Sequence, residues 1–320
     1  MKLADSITDL VGNTPMVRLE RFGRDLSHNL LGKCEFLNPG GSVKDRIAFY
    51  MVEKAEESGA LEPGGTIIEA TAGNTGIGLA LVAALKGYKL ITVMSEKVSK
   101  DKVNLLQALG SKTLVVPGGK AITDPEHFMN RACILAEQNG YWLANQFFNE
   151  SNVEAHYQTT GPEIWKQTEG LVDALVVGVG TGGTLTGIAR FLKEKKPVVK
   201  VVLADPVGSM LADLVNGKTS SSSPYIVEGI GQDFVPGNFD MTLVDEVFQV
   251  EDFDSIRAAK NLFVTEAMFV GSSSGCILAA ACRYSKNLAG EGRNIVVILP
   301  DGGRGYVSTV YDDEWLANRL

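Results

Sequence analysis

The stretch Ala174-Leu-Val-Val-Gly-Val-Gly-Thr-Gly-Gly-Thr184 decides the fold class. Ala174–Val179 is almost wholly apolar, which suits a parallel strand covered on both faces. A glycine turn follows, and then Thr184–Lys193, a run of helical period. A second such apolar run lies at Asn294–Leu299. Further strand patterns occur at Leu31–Phe36, Thr66–Ala70, Lys89–Met94, Thr113–Val116, Lys200–Ala204 and Glu246–Val250. Helical patterns at Asp45–Ser58, Gly76–Leu85, Lys100–Leu109, Ser255–Val264 and Cys276–Leu288 fill many of the gaps. Strand, helix, strand at this spacing implies parallel sheets with right-handed crossovers. The expected architecture is α/β, with two lobes, each a mostly parallel twisted sheet flanked by helices. Gly76–Leu85 is apolar all round and is expected to be deeply buried. The serine run Ser220–Ser223 before Pro224 reads as a surface loop, and Gly118–Asp124 and Asn149–Glu154 as the seam between lobes.

The composition narrows what such a chain can do. Its 320 residues favour two domains, and 45% hydrophobic against 21% charged residues is an ordinary globular balance. A net charge of −8 argues against a nucleic-acid backbone as partner. No apolar run approaches the roughly 18 residues that span a bilayer. The first residues, Met1–Leu10, lack the apolar core of a signal peptide, so a cytoplasmic location is expected. The three histidines, His28, His127 and His156, are far apart and form no metal-ligand pattern. Cys34, Cys133, Cys276 and Cys282 make no CxxC pair and read as buried reduced thiols. Glycine is in excess, 35 of 320 or about 11%, against about 7% in average proteins. Without a collagen period, that excess points to tight turns and to backbone held close to a ligand.

Ligands of open α/β sheets bind beyond the carboxyl ends of the strands, and there the glycines collect. Asn38-Pro-Gly-Gly-Ser-Val-Lys44-Asp-Arg46 follows the first strand pattern, Thr71-Ala-Gly-Asn-Thr-Gly76 the second, and Gly180-Thr-Gly-Gly-Thr184 the strand at Ala174–Val179. Gly271-Ser-Ser-Ser-Gly275 is expected as a loop between two helices. Each leads into a helix and offers N–H groups or hydroxyls to an anion. The backbone and two hydroxyls of Gly180–Thr184 suit a terminal phosphate, each charge-assisted bond contributing roughly 1.5–3 kcal/mol. Gly178–Gly183 also fits GxGxxG, with Asp205 at the end of the next strand, so a nicotinamide oxidoreductase is an alternative. Against it stand the threonines, which suit a phosphate monoester, and the absence of a second nucleotide half-site. Gly217-Lys-Thr219 fails as a P-loop because position 212 is Ala. Lys44 sits at a helix start, where the macrodipole disfavours a cation and favours the neutral amine of a Schiff-base lysine. A phosphate cradle and such a lysine on separate βα loops suggest pyridoxal 5'-phosphate (PLP).

These motifs resemble the fold-type II PLP enzymes, with the tryptophan synthase β-like fold, and more closely the cysteine synthase and cystathionine β-synthase family. The likeness runs from Gly12-Asn-Thr-Pro15 almost to Trp315. It implies that Lys44 carries the cofactor aldehyde and shuttles the Cα proton. It implies that Asn74 meets the phenolic oxygen, that Gly180, Thr181, Gly182, Gly183 and Thr184 cradle the phosphate, and that Ser273 faces the pyridine nitrogen. Thr71, Ala72, Asn74, Thr75 and Gln146 would grip the amino-acid carboxylate, with Gly229 beside the substrate. The reaction implied is β-replacement on L-serine or an O-activated serine through an α-aminoacrylate, a thiol adding to give cystathionine or cysteine. Cysteine synthase with sulfide, a cysteine β-lyase releasing hydrogen sulfide and a non-catalytic PLP-fold regulator are the alternatives. Asp205-Pro-Val-Gly-Ser209, the Glu228–Pro236 segment and Asp312-Asp-Glu-Trp315 look like the catalytic core of cystathionine β-synthase. His156–Trp165 looks more like cysteine synthase. With the sequence ending at Leu320, paired C-terminal regulatory modules are not expected, and the short N-terminal stretch gives no expectation of a haem-binding extension. Ala72 replaces the usual Ser, Val153 a common Pro and Gln232 the usual Tyr, and Pro300-Asp-Gly-Gly-Arg-Gly-Tyr306 is a variant segment; these leave donor and nucleophile open. The resemblance further implies a homodimer, a smaller mobile substrate lobe over residues 37–148, and a larger phosphate-binding lobe over residues 1–36 plus 149–320.

Overall fold

The computed structural model describes residues 3–96, 98, 100–120 and 122–319. Met1, Lys2, Leu320 and Ala121, which fall within ranges named above, lie outside the described residues. Two sheets carry the chain. The larger has six strands: β1 (Met16–Arg18), β2 (Asn29–Cys34), β7 (Ala174–Gly178), β8 (Lys200–Pro206), β9 (Glu246–Val250) and β10 (Asn294–Leu299). Their order is β1-β2-β10-β7-β8-β9, parallel throughout except that β1 runs antiparallel to β2. The smaller sheet holds β3 (Thr66–Ala70), β4 (Lys89–Ser95), β5 (Lys112–Val116) and β6 (Trp142–Leu143) in the order β5-β4-β3-β6, all parallel.

The helices are α1 (Lys44–Glu57), α2 (Asn74–Lys86), α3 (Lys100–Ala108), α4 (Phe128–Asn139), α5 (Ser151–Ala155), α6 (Gly161–Gln167), α7 (Gly183–Lys195), α8 (Leu211–Val215), α9 (Asp252–Glu266), α10 (Ser272–Asn287) and α11 (Asp313–Ala317). The expected double cover of the central strands is observed. On β10, Ile295, Val297 and Leu299 enter one core, with α9 and α10, while Val296 and Ile298 enter the other, with α7. Alternate side chains thus leave water on opposite faces, each fully buried one contributing roughly 1.5–3 kcal/mol. The smaller sheet is likewise covered by α1 and α2 on one side and α4 on the other.

Several expectations need correction. The first strand lies two residues earlier than its apolar pattern, at Asn29–Cys34, because Glu35 turns inward to pair with Arg46 and the chain bends into a short 3-10 turn, Glu35–Leu37. The Gly76–Leu85 helix is deeply buried as expected over most of its length, with Leu79 and Val82 fully buried, and is exposed only at its end, where Leu85 is 47% exposed. The serines of Gly271–Gly275 form the first turn of α10 rather than a loop. Gly118–Asp124 joins β5 to α4 beside the smaller sheet and is no crossing between sheets; the chain crosses between β2 and β3 and again between β6 and β7. Asn149–Glu154 does fall in that second crossing. Ser220–Ser223 is irregular and largely exposed, as expected. No helix among the described residues is long and apolar enough to cross a membrane.

Candidate active site

Both sheets present the carboxyl ends of their strands to one cavity of about 880 Å³. That volume lies within the range of small-molecule sites. Lys44, Thr71–Thr75, Gln146, Gly180, Thr181, Gly229 and Gln232 all line it.

Lys44 opens α1. Its backbone N–H donates to Ser42 Oγ (3.1 Å), and the preceding Val43 N–H donates to the Pro300 carbonyl (2.8 Å), tying the helix start to the end of β10. The residues after it anchor this start. Asp45 Oδ2 accepts from Gly40 N (2.5 Å), and burial pushes the Asp45 carboxyl up to about 7. Arg46, 3% exposed, pairs with Glu35 (2.7 Å) and with Glu163 (2.7 Å), and Lys33 also pairs with Glu163 (2.6 Å). Such a buried network is costly to break because it strands a charge. Burial lowers the pKa of Lys44, and the Asp301 carboxylate opposes that shift. The amine is therefore biased toward its nucleophilic form.

The Gly180–Thr184 turn begins α7 and is closely packed. A Cβ on Gly180 would lie 2.3 Å from the Gly229 carbonyl oxygen, and one on Gly183 2.0 Å from Asn152 Oδ1. Gly182 has φ +90°, a conformation that glycine adopts without strain. Asn152 Nδ2 donates to Thr181 Oγ1 (2.9 Å), and His156 Nε2 lies 3.1 Å from Thr184 Oγ1. Burial depresses the pKa of His156 to about 3, so the ring is neutral. Between this turn and Lys44 lies a chamber of about 20 Å³, bounded also by Gly229 and Pro300.

The Thr71–Gly76 turn begins α2 and is tied by side chains. Thr71 Oγ1 accepts from Gly73 N (3.2 Å), Asn74 Nδ2 donates to Asp301 Oδ2 (2.7 Å), and Thr75 Oγ1 donates to Gln146 Oε1 (2.5 Å). Gln146 is fully engaged: its Nε2 donates to Glu69 Oε1 (3.2 Å) and to the Ala70 carbonyl (3.3 Å). A Gln146 contact to a ligand carboxylate therefore requires one of these bonds to open. Burial raises the Glu69 carboxyl to about 7, against the pull of the Gln146 N–H groups.

Ala72 and Gly229 sit on the cavity wall as expected. Gln232 Nε2 donates to the Gly180 carbonyl (2.9 Å). Ser273 is 2% exposed in the first turn of α10 and does not line the cavity, and its hydroxyl has no protein partner among the described residues. Its neighbour Ser272 accepts from Glu228 N (3.1 Å), joining α10 to the Glu228–Gly231 wall. Asp205, the acid that a dinucleotide ribose would need, is fully buried and accepts from Ala212 N (2.9 Å) at the start of α8. Its Oδ2 caps that helix, and the residue does not line the cavity.

Some charged and aromatic residues of the cavity wall had been given no role of their own. Asp301 and Tyr306 follow β10, and Lys102 from α3 is ion-paired with Glu228 across the opening. Asp301 had a usable signal, since it lies just beyond the carboxyl end of a buried parallel strand.

Comparison with known proteins settles the family. Residues 7–301 match the family described as pyridoxal-phosphate dependent enzyme. This chain belongs to the pyridoxal-phosphate-dependent enzymes. Among curated members it is 46% identical to cystathionine β-synthase from Rattus norvegicus over 322 residues, covering 99% of this chain and 57% of that protein. It is 43% identical to cysteine synthase 1 from Neurospora crassa over 325 residues, covering 99% of this chain and 86% of that one. The chain thus spans little more than half the length of the mammalian cystathionine β-synthases it matches. A solved structure of an O-ureido-L-serine synthase, 37% identical, superposes with a TM-score of 0.90 over 99% of this chain and all of that one. The oxidoreductase alternative has no support in these relatives.

Proposed function

We propose that this PLP-dependent enzyme catalyses β-replacement on L-serine or an O-activated L-serine, adding a thiol to give cystathionine or cysteine. One observation carries the reading: Lys44, a glycine turn at a helix start and the Asn74 amide converge on a single cavity. The residues present fit the cofactor, since Lys44, Asn74, Gly180 and Thr181 line one cavity of about 880 Å³ and any side chain at Gly180 or Gly183 would collide with its neighbours. Bound PLP supplies the electron sink that makes the substrate Cα proton removable. Gly180, Thr181, Gly182, Gly183 and Thr184 hold its phosphate with N–H groups, hydroxyls and the positive end of α7. Asn74 donates to its phenolic oxygen, and Ser273 is assigned to the pyridine nitrogen. Lys44 would hold the aldehyde, and its free amine would take the substrate Cα proton and later return it. Thr71, Ala72 and Thr75 receive the substrate carboxylate at the positive end of α2, with Gln146 joining when its bond to Ala70 opens, and Gly229 closes the opposite wall.

A cystathionine β-synthase-like reaction with an amino-acid thiol is preferred over one with sulfide alone, in keeping with the 46% identity to the Rattus norvegicus cystathionine β-synthase. The mobile lobe is assigned to residues 37–148 and the phosphate lobe to residues 1–36 plus 149–320, in keeping with the division of strands between the two sheets. A homodimer in the cytoplasm is the proposed state; Phe263, 53% exposed, Val264, 80%, and Val307, 57%, offer apolar surface for a second copy. The test offers serine with homocysteine, serine with sulfide, and O-acetylserine with sulfide in parallel. Cystathionine is expected to form fastest. If none of the three gives product while cysteine alone releases sulfide, the enzyme is a lyase and the proposal fails.

A further inference from the structure

The residue beneath Asn74 is built for a task of its own. Asp301 follows the end of β10, is 4% exposed, and gathers contacts from four directions. Its Oδ2 accepts from Asn74 Nδ2 (2.7 Å) and from the Tyr306 hydroxyl (2.5 Å). Its carbonyl accepts from Gly271 N (3.1 Å), and its backbone bridges to Ser42, two residues before Lys44. Its Oδ1 is buried without a hydrogen-bond partner, against Gly271, where a Cβ would come within 2.1 Å. The Asp301 backbone is therefore fixed at the end of a strand of the larger sheet, while its carboxylate is bonded to a helix of the smaller sheet.

A side-chain amide has one nitrogen with two hydrogens and one oxygen that only accepts. Opposite a carboxylate, the oxygen would be repelled, so Asp301 dictates that the nitrogen of Asn74 faces it. One N–H is then committed to Asp301 Oδ2 and, beside it, the Tyr306 oxygen; the amide plane is fixed, and the second N–H is turned away from this pair as a donor on the cavity wall. A donor fixed before the ligand arrives costs no reorganisation when it binds. We propose that Asp301, braced by Tyr306, is a positioning residue that orients the Asn74 amide so that its second N–H donates to an anionic oxygen of the bound cofactor. Resting on the cofactor assignment above, this names the support for one of its contacts. Burial raises the pKa of the Asp301 carboxyl and Glu228 adds to that rise, while the two donors that hold it and the nearby Lys44 oppose it without cancelling it. The variant segment Pro300–Tyr306 thereby acquires a function: two of its residues carry this support.

The test reads the cofactor's own absorbance. An amide donor at the phenolic oxygen favours the anionic, visible-absorbing form over the neutral, near-ultraviolet form. Apo-protein is titrated with PLP for wild type, Asn74→Ala, Asp301→Asn, Tyr306→Phe and the Asn74→Ala/Asp301→Asn double variant. Asp301→Asn is expected to raise the ratio of near-ultraviolet to visible absorbance by roughly fivefold. Asn74→Ala is expected to do the same, the double variant no more than either single, and Tyr306→Phe less. Additive shifts in the double variant, or a wild-type ratio in Asp301→Asn beside an altered one in Asn74→Ala, would overturn the proposal. A wild type that forms no visible band with PLP would instead overturn the cofactor assignment. Should Asp301→Asn fail to fold, the Asn74 side-chain amide of the ¹⁵N-labelled wild type decides. One strongly downfield, slowly exchanging proton before PLP is added and two afterwards is the expected pattern, and two equivalent protons throughout contradict it.

Discussion

The two glycine turns at the starts of α7 and α2 face the same cavity and are held in opposite ways. Around Gly180–Gly183 the backbone itself is packed, with neighbours 2.0 to 2.3 Å from where a Cβ would stand at Gly183 and Gly180. At the α2 turn, Gly73 has nothing within 4 Å of such a Cβ, and order comes from side-chain bonds to Asp301 and Gln146. A site fixed by backbone contact suits an anion that stays, such as a cofactor phosphate. One fixed by side-chain hydrogen bonds can open and re-form with each turnover, as a substrate carboxylate requires.

That contrast is open to attack by mutation. Gly180→Ala should have the largest effect: about 1–3 kcal/mol of overpacking, read as a lower denaturation midpoint. The same variant should weaken PLP affinity by roughly tenfold to a hundredfold through lost N–H contacts. Gly73→Ala is the paired control, and its PLP affinity should stay within about twofold of wild type; equal losses in the two variants would erase the distinction.

Next in size is the acid response of His156, which supports the rigid turn. Its folded pKa of about 3 lies below the ordinary value near 6.5. Between those values the unfolded chain binds a proton that the folded chain refuses, so this residue's share of stability is present near pH 7 and declines as pH falls. The decline is steepest well below pH 6.5, at up to about 1.4 kcal/mol per unit. His156→Gln should flatten that acid limb in urea melts at pH 7, 6 and 5, and an unchanged difference between the two proteins across the three would refute it. Thr71→Ala should raise the KM for the amino acid by roughly fivefold to tenfold while cofactor occupancy holds. Smallest of all, Ala72→Ser should change that KM by less than about threefold, since it adds a hydroxyl without removing a contact.

Where a feature rested on local pattern, the sequence carried it. The buried strands β7 and β10 were legible because short apolar runs between turn signals have few other uses. Strands β1 and β6, three and two residues long, are too short to show any period. The start of α10 was misplaced because Ser272–Ser274 carry loop-forming side chains, and only tertiary burial makes them helical. Helix α4 escaped notice although Ala132 and Ala136 lie on its buried stripe. In the site, Lys44 at a helix start and the Gly180–Thr184 turn showed in the local pattern, whereas the role of Asn74 came only through the family resemblance. The Asn74–Asp301 bond joins residues 227 apart, and the Gln146–Glu69 bond residues 77 apart, separations over which no single-sequence pattern speaks. For the same reason, nothing in the sequence showed that both Gln146 donors are already engaged.

The central claim is that Lys44 is the residue that holds the cofactor. Borohydride reduction of the PLP-loaded protein, followed by peptide mass mapping, tests it directly. A single phosphopyridoxyl adduct on the peptide containing Lys44, absent in Lys44→Ala, is the expected result. An adduct on another lysine, or none in a protein that binds PLP, would contradict the account.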